Sequence, residues 1–328
     1  MNHAAKSFSL QTTLALLALS TLLTSALIAN ERPEAAPTSV EITVDASQLG
    51  KDIPRGPAGL NLCWLLDSDI HHDQAISTEM ALSQLGAGSL RFPYGHLADN
   101  YLWTSPPYDQ AEQGLTPRVA SKSETPGRWR WATVDDGTFY SAMDFDEYVA
   151  MCKRIDVAPL VVVNALSHKY EGGPTYDELK QAAVEWVRYA KRNDCEIAYW
   201  QIGNEVDHHS DIMPREEYVA LYADFTAAMK GADPTAKVGP GILSQPLYYR
   251  DLLETRPELI DFGSVHVYTF GREWDWETWS ASEDDFIRSI HRCQAEIDAS
   301  SKPDLELLVT ETSSYGGGQS TNRTNDLF

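Results

Sequence analysis

The sequence predicts an α/β fold, a (β/α)8 TIM barrel that stops short of its eighth strand. From residue 59 onward, strand-like runs alternate with helical stretches, the pattern of parallel βαβ units. A chain of 328 residues has the size that such barrels reach. Seven strand-like runs precede Phe328, one fewer than a closed barrel needs.

The elements follow in order. Residues 1–29 carry Lys6, an apolar stretch from Leu14 to Ile28, and small residues around Ala26 and Ala29. That is the pattern of a secretory signal peptide cleaved near Ala29, so the protein is expected to be secreted or periplasmic. No later run is long and apolar enough to span a bilayer. Residues 30–52 hold a polar, proline-containing linker, NERPEAAPTS, and then VEITVDAS (40–47), which alternates like a half-buried strand. Residues 53–328 form the barrel domain, incomplete at its C-terminal end.

Within that domain GLNLCW (59–64) is the first strand and ISTEMALSQLG the first helix. SLRFP (89–93) is the second strand. A polar and aromatic excursion from Tyr94 to Thr138 follows, carrying Trp103, Trp129 and Trp131. So long a connection is unusual unless it is functional. Its aromatic faces suit stacking on sugar rings, or they fill a satellite core. DFDEYVAMCKRI is helical, APLVVVNAL (158–166) is a buried strand of the β-branched type, and TYDELKQAAVEWVRYAKRN is the next helix. IAYWQIGNE, AKVGPGI, FGSVHVYTF (262–270) and LELLVTE (305–311) supply strands four to seven, separated by REEYVALYADFTAAMKGA and, before the last, EDDFIRSIHRCQAEIDAS.

The net charge of −22 argues against nucleic acid and anionic membrane surfaces as partners and suits a neutral or weakly charged substrate. Cys63, Cys152, Cys195 and Cys293 show no zinc or CxxC spacing and read as free, mostly buried thiols. His71, His72 and Asp73, and Asp207, His208, His209 and Asp211, fit no familiar metal motif. They read as loop residues, the second group lining the cleft beside Glu205. No metal or cofactor is implied, and the oligomeric state is open.

Glu205 closes the fourth strand run and Glu311 the seventh. In a parallel barrel the C-terminal strand ends share one mouth, where active sites lie. Two carboxyl groups facing each other there suit glycoside hydrolysis, one as acid/base and the other as nucleophile.

Several segments in order then make a resemblance specific. LRFPYGHLADNYLW, WRWATVDDGTFYSAMDFDEYVAMCKRIDVAPLVVVNA, YWQIGNEVD, DPTAKVGPG, SVHVYT and LLVTET resemble the clan A glycoside hydrolases, and among them the α-L-arabinofuranosidase family, from about Gly59 to Gly317. The resemblance implies an exported retaining hydrolase acting on oligo- or polysaccharides of plants or algae. It makes Glu205 the general acid/base and Glu311 the nucleophile. Asn204 would bind the hydroxyl next to the anomeric carbon, Arg91 would favour the charged form of Glu311, and Tyr268 would donate to Glu311. Burial and the nearby Glu311 charge would raise the pKa of Glu205. His266, His96, Asn164, Trp64 and Trp103 complete the candidate substrate-binding set.

The chain also departs from that family. Tyr94-Gly95-His96 stands where the family usually has asparagine after glycines, and no sugar-binding glutamate follows strand one, with Asp67 or Asp69 as substitutes. The family's C-terminal β-sandwich is not expected here, although VEITVDAS resembles the N-terminal strand that pairs with it. Other readings are a clan A hydrolase for a xyloside, galactoside or uronide, and a non-catalytic carbohydrate-binding barrel.

Overall fold

The computed structural model describes residues 58–64, 76–103, 118–119, 143–269 and 287–314, together with residues 43, 45 and 47. The chain divides into two compact units, Met1–Asp52 and Ile53–Phe328, and everything below concerns the second. The signal-peptide segment, Asp67, Asp69, His71, His72, Asp73, Trp129 and Trp131 lie outside the described residues, as does most of VEITVDAS.

Seven strands pair parallel, in the order the sequence predicts. They are β1 (Gly59–Asn61), β2 (Ser89–Phe92), β5 (Ala158–Val163), β6 (Tyr199–Ile202), β7 (Val238–Pro240), β8 (Gly263–Thr269) and β9 (Leu307–Ser314). Between β2 and β5 lies a short antiparallel pair, β3 (Tyr101–Leu102) with β4 (Arg118–Val119), inside the aromatic excursion. Among the described residues six α-helices alternate with the strands: α1 (Thr78–Leu85), α2 (Phe145–Ile155), α3 (Tyr176–Arg192), α4 (Arg215–Ala232), α5 (Pro246–Thr255) and α6 (Arg288–Asp298).

Among the described residues the strands do not close into a barrel. β1, β2, β5, β6 and β7 form one sheet, and β8 pairs only with β9. Side chains and loops bridge the two sheets. The Ile242 amide donates to Ser264 Oγ at 3.4 Å, and the His266 amide donates to the Leu243 carbonyl at 2.8 Å. On the other side, Asn61 Nδ2 of β1 donates to the Thr310 carbonyl of β9 at 3.4 Å.

Local sequence explains why these elements start where they do. α2 and α3 both open on a capping box. Asp144 and Thr175 each accept from the backbone three residues on, while Glu147 and Glu178 reach back to the cap amides. Val161, Val162 and Val163 of β5 are buried, as a strand covered on both faces requires. Tyrosines on the helices then fasten helix to strand: Tyr148 Oη donates to the Leu90 carbonyl at 2.7 Å, and Tyr218 Oη to that of Ile202 at 2.8 Å. The cysteines are free thiols, and Cys63, Cys152 and Cys293 are buried. No described helix is long and apolar enough to cross a membrane.

The core corrects two expectations. Trp103 is 5% exposed and stacks on Trp186 of α3, with ring centroids 5.8 Å apart and planes at 8°. Trp64 is 1% exposed and meets Tyr101 edge-on at 5.2 Å. A ring enclosed by protein has no free face for a sugar, so Trp103 and Trp64 are core residues rather than substrate platforms.

Candidate active site

Glu205 sits three residues beyond β6, in a turn that only certain residues can make. Gly203 has φ 78°, and a Cβ there would lie 2.7 Å from Val206 Cγ1. Glu205 itself has φ 46°, a left-handed conformation that non-glycine residues seldom adopt. This reversal carries Asn204 to Arg91 and Glu205 to His266. Glu311 arrives differently. It lies inside β9, which runs on to Ser314 instead of closing at Glu311. A register shift at Val265/His266 places His266 opposite Glu311. Bulges of this kind re-aim side chains next to active sites.

Arg91 of β2 is the hub that joins them. Its Nη1 donates to Glu311 Oε2 at 3.0 Å and to Asn61 Oδ1 at 2.8 Å, and its Nη2 donates to Asn204 Oδ1 at 2.8 Å. Tyr268 Oη donates to Glu311 Oε1, so both oxygens of that carboxyl accept a hydrogen bond. Burial and the neighbouring Glu311 push the Tyr268 phenol well up, which keeps it a donor. With Asn204 Oδ1 engaged by Arg91, its Nδ2 is left to donate to a ligand.

His266 is fully buried and joins Glu205, with Nδ1 2.8 Å from Glu205 Oε1 and 3.8 Å from Glu311 Oε2. Burial, reinforced by the Arg91 cation, lowers the imidazole to about 3, so it is neutral across the ordinary working range. Burial also raises the Glu205 carboxyl above the usual glutamate value, while His208, Arg91, His209 and His96 pull it down. Glu205, His266 and Glu311 each present an atom within 4.8 Å of the others. Three such atoms are a possible metal ligand set, yet the Arg91 guanidinium at 3.0 Å from Glu311 already supplies the positive charge a metal would bring.

Two expectations are corrected here. His266 contacts Glu205 and is enclosed, so it positions the acid/base candidate and does not line a substrate surface. Asn164 spends its amide on the main chain. Nδ2 donates to the Asp99 carbonyl at 2.8 Å and the Tyr101 carbonyl at 3.1 Å, and Oδ1 accepts from Leu166 and Ser167. It clamps the segment after β2 and does not grip a sugar. His96 is exposed at the mouth, His208 is exposed, and His209 is half-buried.

Three further residues in this neighbourhood, Asn61, Asp207 and Asp99, are given no place in the candidate set by the sequence. Asn61 holds Arg91 from β1. Asp207 accepts from the amides of Leu243, Ser244 and Gln245 at 2.6, 2.9 and 2.9 Å, tying the β6 and β7 loops together. Asp99 is buried, and burial together with the Glu205 charge pushes its carboxyl well up. A cavity of about 580 Å³ opens elsewhere, at the N-terminal strand ends beside Lys153, Asp156, Asp194 and Glu196. It lies away from the paired carboxyl groups.

Comparison with known proteins follows this geometry. The chain is 24% identical over 307 residues to an intracellular exo-α-L-arabinofuranosidase of Bacteroides ovatus, covering 83% of this chain and 55% of that protein. The chain is arabinofuranosidase-like. In structure it resembles the α-L-arabinofuranosidase of Thermotoga maritima, solved with arabinose, with a TM-score of 0.58 and 19% identity over 80% of this chain and 56% of that one. It also resembles a monomeric β-xylosidase of Caulobacter crescentus, with a TM-score of 0.54 and 16% identity over 82% and 54% of the two chains. The chain thus spans little more than half the length of each of these three proteins. These relatives bear out the clan A resemblance read from LRFPYGHLADNYLW and YWQIGNEVD. No family model matches the chain.

The raised Glu205 carboxyl has a consequence for the stability of the arabinofuranosidase-like domain. Below the unfolded value of about 4.3 the carboxyl is neutral in both states, and burying it costs no ionisation. As pH rises, the unfolded chain ionises first, and stability falls until the folded group ionises as well. Glu205→Gln should therefore resist urea better than the native chain at pH 8 and equally at pH 4. A gain at pH 4 that disappears at pH 8 would contradict the assigned shift.

Proposed function

We propose that this chain is a retaining, arabinofuranosidase-like glycoside hydrolase in which Glu311 is the nucleophile and Glu205 the acid/base. The observation that carries the proposal is the close approach of the two carboxyl groups, one oxygen of each lying within 4.8 Å of the other. Retaining enzymes place the pair about 5–5.5 Å apart, whereas inverting enzymes leave room for a water at about 6.5–9.5 Å.

The chemistry follows from the hydrogen bonds. Glu311 attacks the anomeric carbon as the bond to the leaving oxygen breaks, and that oxygen takes the proton of Glu205. His266 is neutral, and in the tautomer that carries its proton on Nδ1 it donates to Glu205 Oε1, which leaves the acid proton on Oε2. Water then attacks the glycosyl ester and gives its proton to Glu205, and Glu311 departs as a carboxylate. Asn204 Nδ2, aligned by Arg91, donates to the neighbouring sugar hydroxyl, a contact that strengthens in the transition state.

The substrate side of the proposal is an α-L-arabinofuranosyl group on an oligo- or polysaccharide. Export is supported by the pattern of residues 1–29, although the Bacteroides ovatus relative is named intracellular. Cell fractionation with N-terminal sequencing checks it, and an intact Met1 in the cytoplasm would refute it. A second reading, hydrolysis of another glycoside, is favoured by Tyr94 and His96, which replace the family's usual residues at the mouth. Proton NMR of the first product formed from aryl glycosides tests the main reading. Retention of anomeric configuration is expected, and inversion would overturn the roles of both glutamates.

A further inference from the structure

We propose that Tyr94 and His96 form a wall of the sugar pocket that sets the size of the glycone admitted to Glu311. The proposal rests on the hydrolase reading for its substrates, and on the segment after β2 for its geometry. Tyr94 has φ 103°, a conformation that L side chains rarely adopt and that glycine adopts freely. A tyrosine kept there needs a reason beyond backbone geometry. Non-glycine residues in sparsely populated conformations gather at ligand clamps and active sites.

The next residue fixes where this segment lies. A Cβ at Gly95 would stand 2.5 Å from Glu311 Oε2, so the backbone rests directly on the nucleophile. Beyond it the chain is anchored. The Ala98 amide donates to the Gly95 carbonyl at 2.8 Å, and Asn164 holds the carbonyls of Asp99 and Tyr101. Across residues 94–101 every residue is buried except Tyr94, which is half-buried, and His96, which is exposed. Their rings stand 6.1 Å apart and nearly perpendicular. His96 also lies within electrostatic reach of Glu205, so this segment runs beside both carboxyl groups. A rigid segment pressed on the nucleophile thus carries a half-buried Tyr94, whose inner side packs against the core, and an exposed His96.

A phenol ring fills the volume that glycine would leave open. The wall should admit a five-carbon glycone and reject the extra carbon of a hexopyranoside. A single such group in a fitted pocket is worth roughly 10–200-fold in discrimination.

The test compares kcat/KM for aryl pentosides and aryl hexosides on the native chain, Tyr94→Gly, Tyr94→Phe and His96→Ala. Free L-arabinose, D-xylose and D-galactose are titrated by calorimetry in parallel. Tyr94→Gly should shift the pentose-to-hexose ratio at least about tenfold toward hexose. Tyr94→Phe should keep the native ratio, and His96→Ala, at an exposed position, should shift it in the same direction. If the native chain is active and the ratio moves less than about twofold in both Tyr94→Gly and His96→Ala, the wall is refuted while the hydrolase reading stands. If no glycoside is cleaved but Tyr94→Gly changes the order of sugar binding, the hydrolase reading fails and the wall stands. If the native chain neither cleaves nor binds any of these sugars, both are overturned.

Discussion

Glu311→Ala should abolish turnover of natural and activated aryl glycosides alike, a loss on the order of 10⁴–10⁶-fold, the range seen when a covalent nucleophile is removed. The reason lies in the division of labour between two steps. Under the proposed mechanism every substrate passes through the glycosyl ester on Glu311, so a better leaving group cannot bypass the missing carboxylate. The variant should remain folded, because the Glu311 side chain is about one-fifth exposed and its removal opens no sealed cavity. It does leave Arg91 without its carboxylate partner, although Asn61 and Asn204 still accept from the guanidinium. Circular dichroism and a urea midpoint near the native value separate lost chemistry from lost structure. A small external nucleophile such as azide should restore turnover with inverted configuration, since it attacks from the face that Glu311 vacates. Full activity on either class of glycoside would mean that the nucleophile lies elsewhere.

The parts of this site that were legible in the sequence are those fixed by local patterns. The run Val161–Val163 announces a buried strand, and Asp144 with Glu147 announces a helix start, because each pattern is satisfied within a few residues. Glu205 and Glu311 stood out because a carboxyl at a strand end in a parallel fold has one obvious use. What escaped notice depends on partners distant in sequence. Asn61 belongs to no motif, and its meaning appears only when β1 and β2 pair and bring it to Arg91. His266 looked like a substrate contact, yet the shifted register of β8 and β9 and the left-handed turn at Glu205 deliver it to the acid/base instead. Trp103 is legible as an aromatic that either stacks on a sugar or fills a core, and its stacking on Trp186 of α3 decides for the core. Asn164 follows the same logic: its Oδ1 caps its own turn locally, but the two bonds from Nδ2 form only once the segment after β2 folds back over β5.

Glu205→Ala should behave differently from Glu311→Ala, and the difference assigns the roles. A general acid matters most when the leaving oxygen is a poor leaving group, and general acid–base catalysis contributes about 10²–10⁴-fold. Natural glycosides should therefore lose most of their turnover in this variant. An aryl glycoside with an acidic phenol needs no proton, so its first step should stay near the native rate. The second step still needs a base to activate water, so the glycosyl ester on Glu311 should accumulate. Stopped-flow measurement should then show a burst of phenol, up to one equivalent per active site, followed by a slow steady state. Azide should accelerate that steady state and give a glycosyl azide of retained configuration, because an anion already charged needs no base and fits the space left by the carboxylate. The structure adds a condition on this rescue. His266 faces the vacated position and is neutral, so the fixed positive charge that draws azide there is that of Arg91. The pH profile supplies the cross-check. The alkaline limb of the native profile follows loss of the Glu205 proton, at a pH above the usual glutamate value because burial raises it, and Glu205→Ala should lose that limb on aryl glycosides. A variant that keeps the limb, or one in which azide yields the inverted product, would exchange the roles assigned to Glu205 and Glu311.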